Sequence, residues 1–232
     1  MIACLPMYDW PERRAETDAL WMRLAGALRR AGFNAPGTLT RRDRLDDMWL
    51  RPDLLLGETC THPLETVLRG RVRYVATPVR GAPGCGRGTY RSVIVARLDA
   101  PDLPPPDDSQ PQLPDRLDGR LAINEAGSMS GHVALRRDLA AAGRPWPGEI
   151  VETGAHRASI RAVASGTADI AAIDCVTWRI ARAHEPAARA LAVIGWTAER
   201  PGLPLITNGA MTDADIERLR KAIACVMPIV IH

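Results

Sequence analysis

The sequence has no long hydrophobic run. No stretch approaches the roughly 20 consecutive apolar residues that a membrane-spanning helix requires, so we expect no membrane insertion. The first six residues read as a short strand and not as a basic segment followed by an apolar one, which is the pattern of a secretory leader. We therefore expect a cytoplasmic location for the sequence as given, or a periplasmic one if a leader has been removed.

The sequence also lacks the patterns typical of metal, nucleotide and nucleic-acid binding. Its five cysteines are odd in number and no Cys-x-x-Cys occurs, which argues against a disulfide framework and a structural zinc site. The glycine-rich stretch 84–88 lacks the Gly-Lys-Ser/Thr of a phosphate-binding loop. The net charge of +3 is mixed along the chain, so nucleic acid is not an expected partner. We predict no metal and no cofactor.

The sequence does contain an alternation of strand-like and helix-like segments. Residues 17–31 have apolar side chains at helical spacing and stop before Gly32, whereas 2–7 and 169–174 have strand character. Such alternation predicts an α/β fold with mostly parallel sheets flanked by helices. The segment 101–115 contains six prolines, so we expect a surface loop there.

Polar side chains cluster where three of the predicted strands end. The segments are Gly-Ser-Met-Ser-Gly-His at 127–132, Thr-Gly-Ala-His-Arg at 153–157, and Ile-Asp-Cys-Val-Thr-Trp at 173–178. In open α/β sheets, ligands bind outside the carboxyl ends of the strands. We therefore expect the three segments to lie together at one sheet edge and to bind a ligand there.

The first of these segments is suited to an anion. A helix start offers backbone N–H groups without intrahelical acceptors and about half a positive charge, both of which favour phosphate or carboxylate oxygens. Ser128 and Ser130 add hydroxyl donors, and Gly127 and Gly131 let the backbone approach closely. The alternative is that one serine only caps the helix while the glycines form the turn.

The other two segments contribute His156 and Asp174. A histidine at a helix start is expected to be neutral and can donate one hydrogen bond to a ligand oxygen. A carboxylate beside a dianion is repulsive, so Asp174 would select a ligand that keeps a P–OH proton or carries an ammonium group. The alternatives are a surface or capping histidine and an aspartate that serves only as an N-cap.

In order along the chain, these residues resemble a known family. The resemblance is carried by segments 90–96, 117–124, 128–131 (Ser-Met-Ser-Gly), 153–156, 162–174 and 201–204. They resemble the phosphate, phosphite and phosphonate substrate-binding proteins of ABC transporters. The resemblance implies the two-lobed type 2 periplasmic binding protein fold, with a ligand cleft between lobes formed by 1–88 plus 198–232 and by 89–197.

The resemblance also implies a function and a site. It implies a solute-binding protein for a small oxyanion such as a phosphonate or phosphate, with an ABC permease as a partner and no catalysis. By this resemblance, the segment from Ser128 to Ser130 would bind the ligand oxygens. The remaining contacts would come from both lobes. The candidate ligand-binding residues are Ser128, Met129, Ser130, Gly131, His156, Asp174, Tyr90, Tyr8 and Thr59. Met129 replaces a threonine that is frequent in the family.

Three other interpretations stay open. A cytosolic enzyme of the same fold, of the menaquinone-pathway type, would act on a small acid, with Cys60 and either His62 or His156 as nucleophile and base. A ligand-sensing module would bind the anion without transport. A protein-interaction module would leave the polar strand ends without a common site.

Overall fold

The computed structural model describes residues 1–41, 44–98, 100–115, 117–146 and 148–232. The chain forms two compact units, Met1–Val79 with Pro201–His232, and Arg80–Arg200. The sequence placed the boundaries at 88/89 and 197/198. The difference arises mainly at the glycine-rich turn 81–88, which belongs to the second unit because Gly84 packs on Trp196 and the carbonyl of Gly81 accepts from Arg179.

Strands and helices alternate along most of the chain. In chain order the strands are β1 Ile2–Cys4, β2 Leu54–Glu58, β3 Val72–Pro78, β4 Thr89–Tyr90, β5 Ser92–Arg97, β6 Leu121–Ile123, β7 Ile150–Glu152, β8 Ile170–Asp174, β9 Leu191–Trp196, β10 Arg200–Pro201, β11 Leu205–Asn208 and β12 Ile229–Val230. The helices are α1 Arg14–Arg30, α2 Leu45–Trp49, α3 Thr61–Glu65, α4 Ala134–Ala141, α5 His156–Ser165, α6 Cys175–His184 and α7 Asp213–Ala224.

The first unit is built on a five-stranded sheet in the order β1-β2-β11-β3-β12. Helix α1 places Leu24 and Leu28 on one face because leucines four residues apart lie above one another. These side chains pack in one core with Leu219 and Ile223 of α7 and with strand residues such as Val75. The helix predicted over 17–31 is thereby confirmed, including its stop before a glycine.

The second unit has a five-stranded sheet in the order β7-β6-β8-β5-β9. Strand β6 runs parallel to both β7 and β8, whereas β5 runs antiparallel to β8 and β9. The core lies under α4, where Leu135 and Leu139 meet Leu121 and Ile123 of β6.

The α/β class is confirmed, but the expectation of mostly parallel sheets is wrong, since both sheets are mixed. Strands β5 and β11 each follow a point where the chain passes from one unit to the other. Strands β5 and β11 are not joined to their sheet neighbours by a single helical crossover, which is the connection typical of parallel neighbours. Each lies antiparallel to its partners.

The proline-rich segment 101–115 contains no helix and no strand of either main sheet, as its prolines predict. It nevertheless lies against β9. Backbone hydrogen bonds join Gln112 to Trp196 and Leu103 to Val193, and the Trp196 indole donates to the Leu103 carbonyl at 2.9 Å. The segment therefore covers β9 and is not a freely projecting loop.

Candidate ligand-binding site

The three polar strand ends lie at one edge of the second unit's sheet. Strands β7, β6 and β8 are neighbours and run in the same direction, so their carboxyl ends share an edge. The antiparallel strand β5 begins at that edge, because its first residue, Ser92, pairs with Asp174 at the end of β8. Tyr90 lies two residues before Ser92 in the chain, so it is also near the start of β5. Four strands thus present site candidates at one edge.

The Ser-Met-Ser-Gly turn is a π-helical turn, Met129–Val133, that leads directly into α4. The Ser128 hydroxyl accepts a hydrogen bond from the Gly131 amide at 3.1 Å, and the Ser128 carbonyl accepts one from Val133. Ser128 is therefore the N-cap, which is the structural role that the sequence left open. The Met129 side chain is fully buried, so it contributes packing within the unit.

Gly131 is required by its surroundings. A Cβ atom built on this residue would overlap Oδ1 of Asn124 and would lie 3.2 Å from Cε1 of His156. Asn124 directly follows β6, and its Oδ1 is buried without a hydrogen-bond partner among the described residues. The absence of a side chain at 131 lets the turn, the end of β6 and the histidine ring approach one another closely.

Ser130 and His156 form the central contact of the site. The Ser130 hydroxyl lies 2.8 Å from Nε2 of His156, and Ser130 is only 5% exposed. Burial lowers the His156 pKa to about 4, so the imidazole is neutral at pH 7. The Nδ1 atom is buried, and no group in the described part of the chain pairs with it. The pair therefore has two hydrogens that can take part in hydrogen bonds. One is the Ser130 hydroxyl hydrogen, which can rotate, and the other is the single N–H hydrogen of the neutral imidazole.

Ser92 and Asp174 hold the neighbouring strands in place. The Ser92 hydroxyl donates to the Ser130 carbonyl at 2.8 Å, which fixes the turn against β5. Asp174 is 2% exposed and caps α6, because its Oδ1 accepts from the Thr177 amide at 2.8 Å. The capping role that the sequence left open for Asp174 is thus present in the structure.

The structure distributes the predicted residues over both units. Ser128, Met129, Ser130, Gly131, His156, Asp174 and Tyr90 all belong to the second unit and lie on the strand ends just described. Tyr8 and Thr59 belong to the first unit, after the neighbouring parallel strands β1 and β2. Thr59 is fully buried, and its amide donates to the Pro204 carbonyl at 3.0 Å.

Two residues of this edge were absent from the predicted site. Ser92 lies inside a strand whose antiparallel placement local sequence does not reveal. Asn124 is a polar residue that directly follows the apolar strand β6, which is the same signal that singled out Asp174. The signal was therefore present for Asn124 and absent for Ser92.

The residues of the enzyme interpretation belong to different units, since Cys60 and His62 are in the first unit and His156 is in the second. Cys60 precedes the short helix α3 of the first unit, and His62 lies within it. Within the described ranges, no group of three or more histidine, cysteine or acidic side chains could hold a metal ion. None of the helices described is both long and apolar enough to cross a membrane.

Two α/β units with polar residues at the strand ends are the arrangement expected of a solute-binding protein of the two-lobed type. The family model for the periplasmic substrate-binding protein of phosphonate ABC transporters matches residues 60–227. The chain belongs to this family, whose members are transporter components and not enzymes. The enzyme interpretation built on Cys60 is accordingly set aside. No curated protein matches the chain.

Solved structures support the type 2 periplasmic binding protein fold. A binding-protein component of a phosphonate ABC transporter from Pseudomonas aeruginosa is 16% identical, with a TM-score of 0.64 over 95% of this chain and 72% of that one. PhnD1 from Prochlorococcus marinus, in complex with methylphosphonate, is 15% identical, with a TM-score of 0.64 over 97% and 82%. XAC2383 from Xanthomonas citri, bound to chloride, is 17% identical, with a TM-score of 0.65 over 95% and 82%. At these identities the likeness concerns the fold.

Proposed function

We propose that this chain binds a small oxyanion of the phosphonate or phosphate class, and that the Ser130–His156 pair is the main contact in the second unit. The observation that carries the proposal is the 2.8 Å contact between the Ser130 hydroxyl and Nε2 of His156 at the edge where four strands present polar residues. Membership of the phosphonate-binding family supports the ligand class.

A neutral His156 sets the direction of the hydrogen bonds. When its Nε2–H donates to the Ser130 oxygen, the serine hydroxyl hydrogen is left to donate to a ligand oxygen. The low pKa of His156, caused by burial, keeps this arrangement unchanged at neutral pH. Donors aimed at an anion in a partly desolvated site each contribute about 1.5–3 kcal/mol net. The first backbone N–H groups of the 129–133 turn add donors of the same kind.

Asp174 restricts the charge of the ligand. Its carboxylate ends β8 beside Ser92, and Ser92 holds the Ser130 carbonyl. A carboxylate close to a bound dianion is repulsive, whereas it accepts a strong hydrogen bond from a P–OH group or an ammonium group. We therefore expect a monoanionic or zwitterionic ligand, such as a methylphosphonate monoanion or aminoethylphosphonate, to bind more tightly than a dianion.

The transport partner is part of the same proposal. The family description names an ABC transporter, and an ABC permease is the expected recipient of the ligand. Of the two locations that the sequence left open, family membership favours the periplasm. The cytoplasmic location remains an untested prediction. Tyr8 and Thr59 are proposed to supply further ligand contacts from the first unit. A ligand-sensing role without transport is the alternative for the same site.

Thermal unfolding tests the ligand class. The full chain is heated with phosphate, phosphite, methylphosphonate, aminoethylphosphonate or acetate at equal ionic strength. A ligand at 100 times its Kd stabilises the folded state by about 2.7 kcal/mol, which raises Tm by roughly 5–10 °C for a chain of this size. The proposal predicts such a rise with at least one phosphorus oxyanion and a smaller one with acetate. No rise with any phosphorus oxyanion at millimolar concentration would overturn it.

A further inference from the structure

Two cysteines of the second unit face each other. Cys85 lies in the glycine-rich turn before β4, and Cys175 is the first residue of α6. They are 90 positions apart in the chain, yet their Sγ atoms are 3.4 Å apart. Neither of them is in a disulfide in this structure, and neither are the other described cysteines, Cys4, Cys60 and Cys225. The proximity of Cys85 and Cys175 has no part in the proposed oxyanion contacts.

The backbone on both sides of this contact is fixed. The Cys175 amide donates to the Arg91 carbonyl at 3.1 Å, which holds the start of α6 against the chain just before β5. The Cys85 amide closes a turn onto the Ala82 carbonyl at 2.9 Å, and Arg179 of α6 donates to the Gly81 carbonyl. The two sulfur atoms therefore meet because the turn is attached to the helix by its backbone.

We propose that Cys85 and Cys175 are a site of reversible disulfide formation that attaches the glycine-rich turn covalently to the start of α6. A disulfide has an S–S distance of about 2.05 Å, so the sulfur atoms must approach by roughly 1.4 Å. The bond would join two segments that are adjacent in the chain to residues of the proposed ligand edge, since Asp174 directly precedes Cys175 and Tyr90 follows the turn.

The two thiols have different parts in the reaction. Cys85 is half-buried, whereas Cys175 is buried. The hydrogen bond that the two thiols share lowers the Cys85 pKa, and the same hydrogen bond together with burial raises the Cys175 pKa. The thiolate is the nucleophile in thiol–disulfide exchange, so Cys85 is the attacking residue and Cys175 the resolving one.

The exchange uses a small-molecule disulfide such as oxidised glutathione as the oxidant. The Cys85 thiolate attacks one sulfur of the glutathione disulfide, forms a mixed disulfide and releases one glutathione thiolate, which takes up a proton. Cys175 then loses its proton and attacks the Cys85 sulfur, which breaks the mixed disulfide and releases the second glutathione. Two protein thiols and one oxidised glutathione become one protein disulfide and two reduced glutathiones.

The experiment equilibrates the full chain in glutathione buffers of increasing oxidised fraction, followed by acid quench, digestion and mass spectrometry without reduction. The background variant is Cys225→Ser, because Cys225 is exposed and would react on its own. We expect one cross-linked peptide pair containing Cys85 and Cys175. We also expect Tm to rise by roughly 5 °C or more over the reduced protein, since the bond closes a long loop in the unfolded chain.

Matched variants separate this pair from general thiol oxidation. Cys85→Ser should abolish both the cross-link and the Tm rise, while Cys60→Ser, a half-buried cysteine of the first unit, should retain both. Cys175→Ser should stop the reaction with one glutathione on Cys85. The proposal is overturned if no Cys85–Cys175 peptide forms at any glutathione ratio in the background variant. It is equally overturned if the cross-link joins another pair, or if Cys85 keeps its glutathione while Cys175 is intact.

Discussion

The Ser130 hydroxyl lies 2.8 Å from Nε2 of His156, although 26 positions separate the two residues in the chain. The contact joins the turn after β6 to the helix after β7, and these are neighbouring parallel strands. It depends on Gly131, because any side chain there would overlap Asn124 and approach the histidine ring. The Ser130–His156 contact, which is the proposed ligand contact, therefore depends both on the order of the strands and on the glycine at position 131.

His156 should make the stability of the protein depend on pH between about 6.5 and 4. Its pKa is about 4 in the folded protein because the ring is buried, against 6.5 for an ordinary histidine. In this range the unfolded chain binds more protons than the folded one, so the contribution of His156 is complete above pH 6.5 and falls as the pH falls. We expect a loss of about 2–3 kcal/mol between pH 7.5 and pH 4.5.

Urea unfolding of the wild type and of His156→Gln at the two pH values measures this term. Glu185 and Asp169 also have lowered pKa values and also lose stabilisation on acidification, but both proteins contain them. The difference between the two pH dependences therefore isolates His156. Identical pH dependences would show that the ring is not buried in its neutral form.

Substitutions of Ser128 and Ser130 should have different effects, the first mainly on stability and the second mainly on ligand binding. Ser128→Ala removes the N-cap hydrogen bond to the Gly131 amide, so the free energy of unfolding should fall by about 1 kcal/mol. Ser130→Ala removes the hydroxyl shared with His156, so methylphosphonate or phosphate should bind at least about tenfold more weakly. Thermal unfolding with and without ligand measures both effects.

The control for these two variants is Ser165→Ala, an exposed serine in the last turn of α5. It should change neither the unliganded Tm nor the ligand-induced rise by a measurable amount. If Ser130→Ala kept the full ligand-induced rise, Ser130 would have no part in binding and the proposed contact would be wrong.

Glu185 should be a strong stabilising residue of the second unit. Its side chain is 4% exposed and lies 2.7 Å from Arg157 and 2.8 Å from Arg161, both on α5, the helix that begins at His156. Burial alone would raise the Glu185 pKa, but hydrogen bonds from the two arginines and from the Ala187 amide lower it on balance. Glu185→Gln should cost about 1–3 kcal/mol in urea unfolding, because two guanidinium groups lose their shared acceptor charge.

A matched variant for this prediction is Glu149→Gln, in which an exposed carboxylate is neutralised in the same unit. It should change the free energy of unfolding by less than about 0.5 kcal/mol. Equal small effects of the two substitutions would show that the Glu185 ion pairs contribute no more than surface charges.

The fold was predictable to the extent that it is encoded locally. The α/β alternation and the stop of α1 before Gly32 both follow from residue spacing and from the preference for glycine after a helix. The antiparallel direction of β5 was not predictable in this way. Nothing near Ser92 indicates that its strand pairs with β8, since the two strands are far apart in the chain.

The candidate site was likewise predictable where it depends on local sequence and not where it depends on the order of the strands. The sequence assigned Ser130 and His156 to strand ends, because polar residues follow apolar strands there. It could not assign their 2.8 Å contact, which depends on the order β7-β6-β8 in the sheet. It also left open whether Ser128 and Asp174 are ligand contacts or caps, and both do cap their turns in the structure. Capping does not decide between the two roles, so their part in binding stays a prediction.

Gly131 provides the sharpest test of the packing around the site. Gly131→Ala places a methyl group where Oδ1 of Asn124 lies and 3.2 Å from Cε1 of His156. Overpacking of this kind costs about 1–3 kcal/mol, and the displaced ring should also weaken the Ser130 contact. We therefore expect both a lower free energy of unfolding and a smaller ligand-induced rise in Tm.

Gly127→Ala is the matched control, because a Cβ atom at 127 meets nothing within 4 Å and the residue does not have a positive φ. It should leave stability unchanged or raise it slightly, since alanine restricts the unfolded chain more than glycine does. The double variant Asn124→Ala with Gly131→Ala should recover part of the loss caused by Gly131→Ala, because the overlapping amide is gone. If Gly131→Ala behaved like Gly127→Ala in both measurements, the turn, Asn124 and His156 would not be in close contact, and the geometry of the proposed site would be wrong.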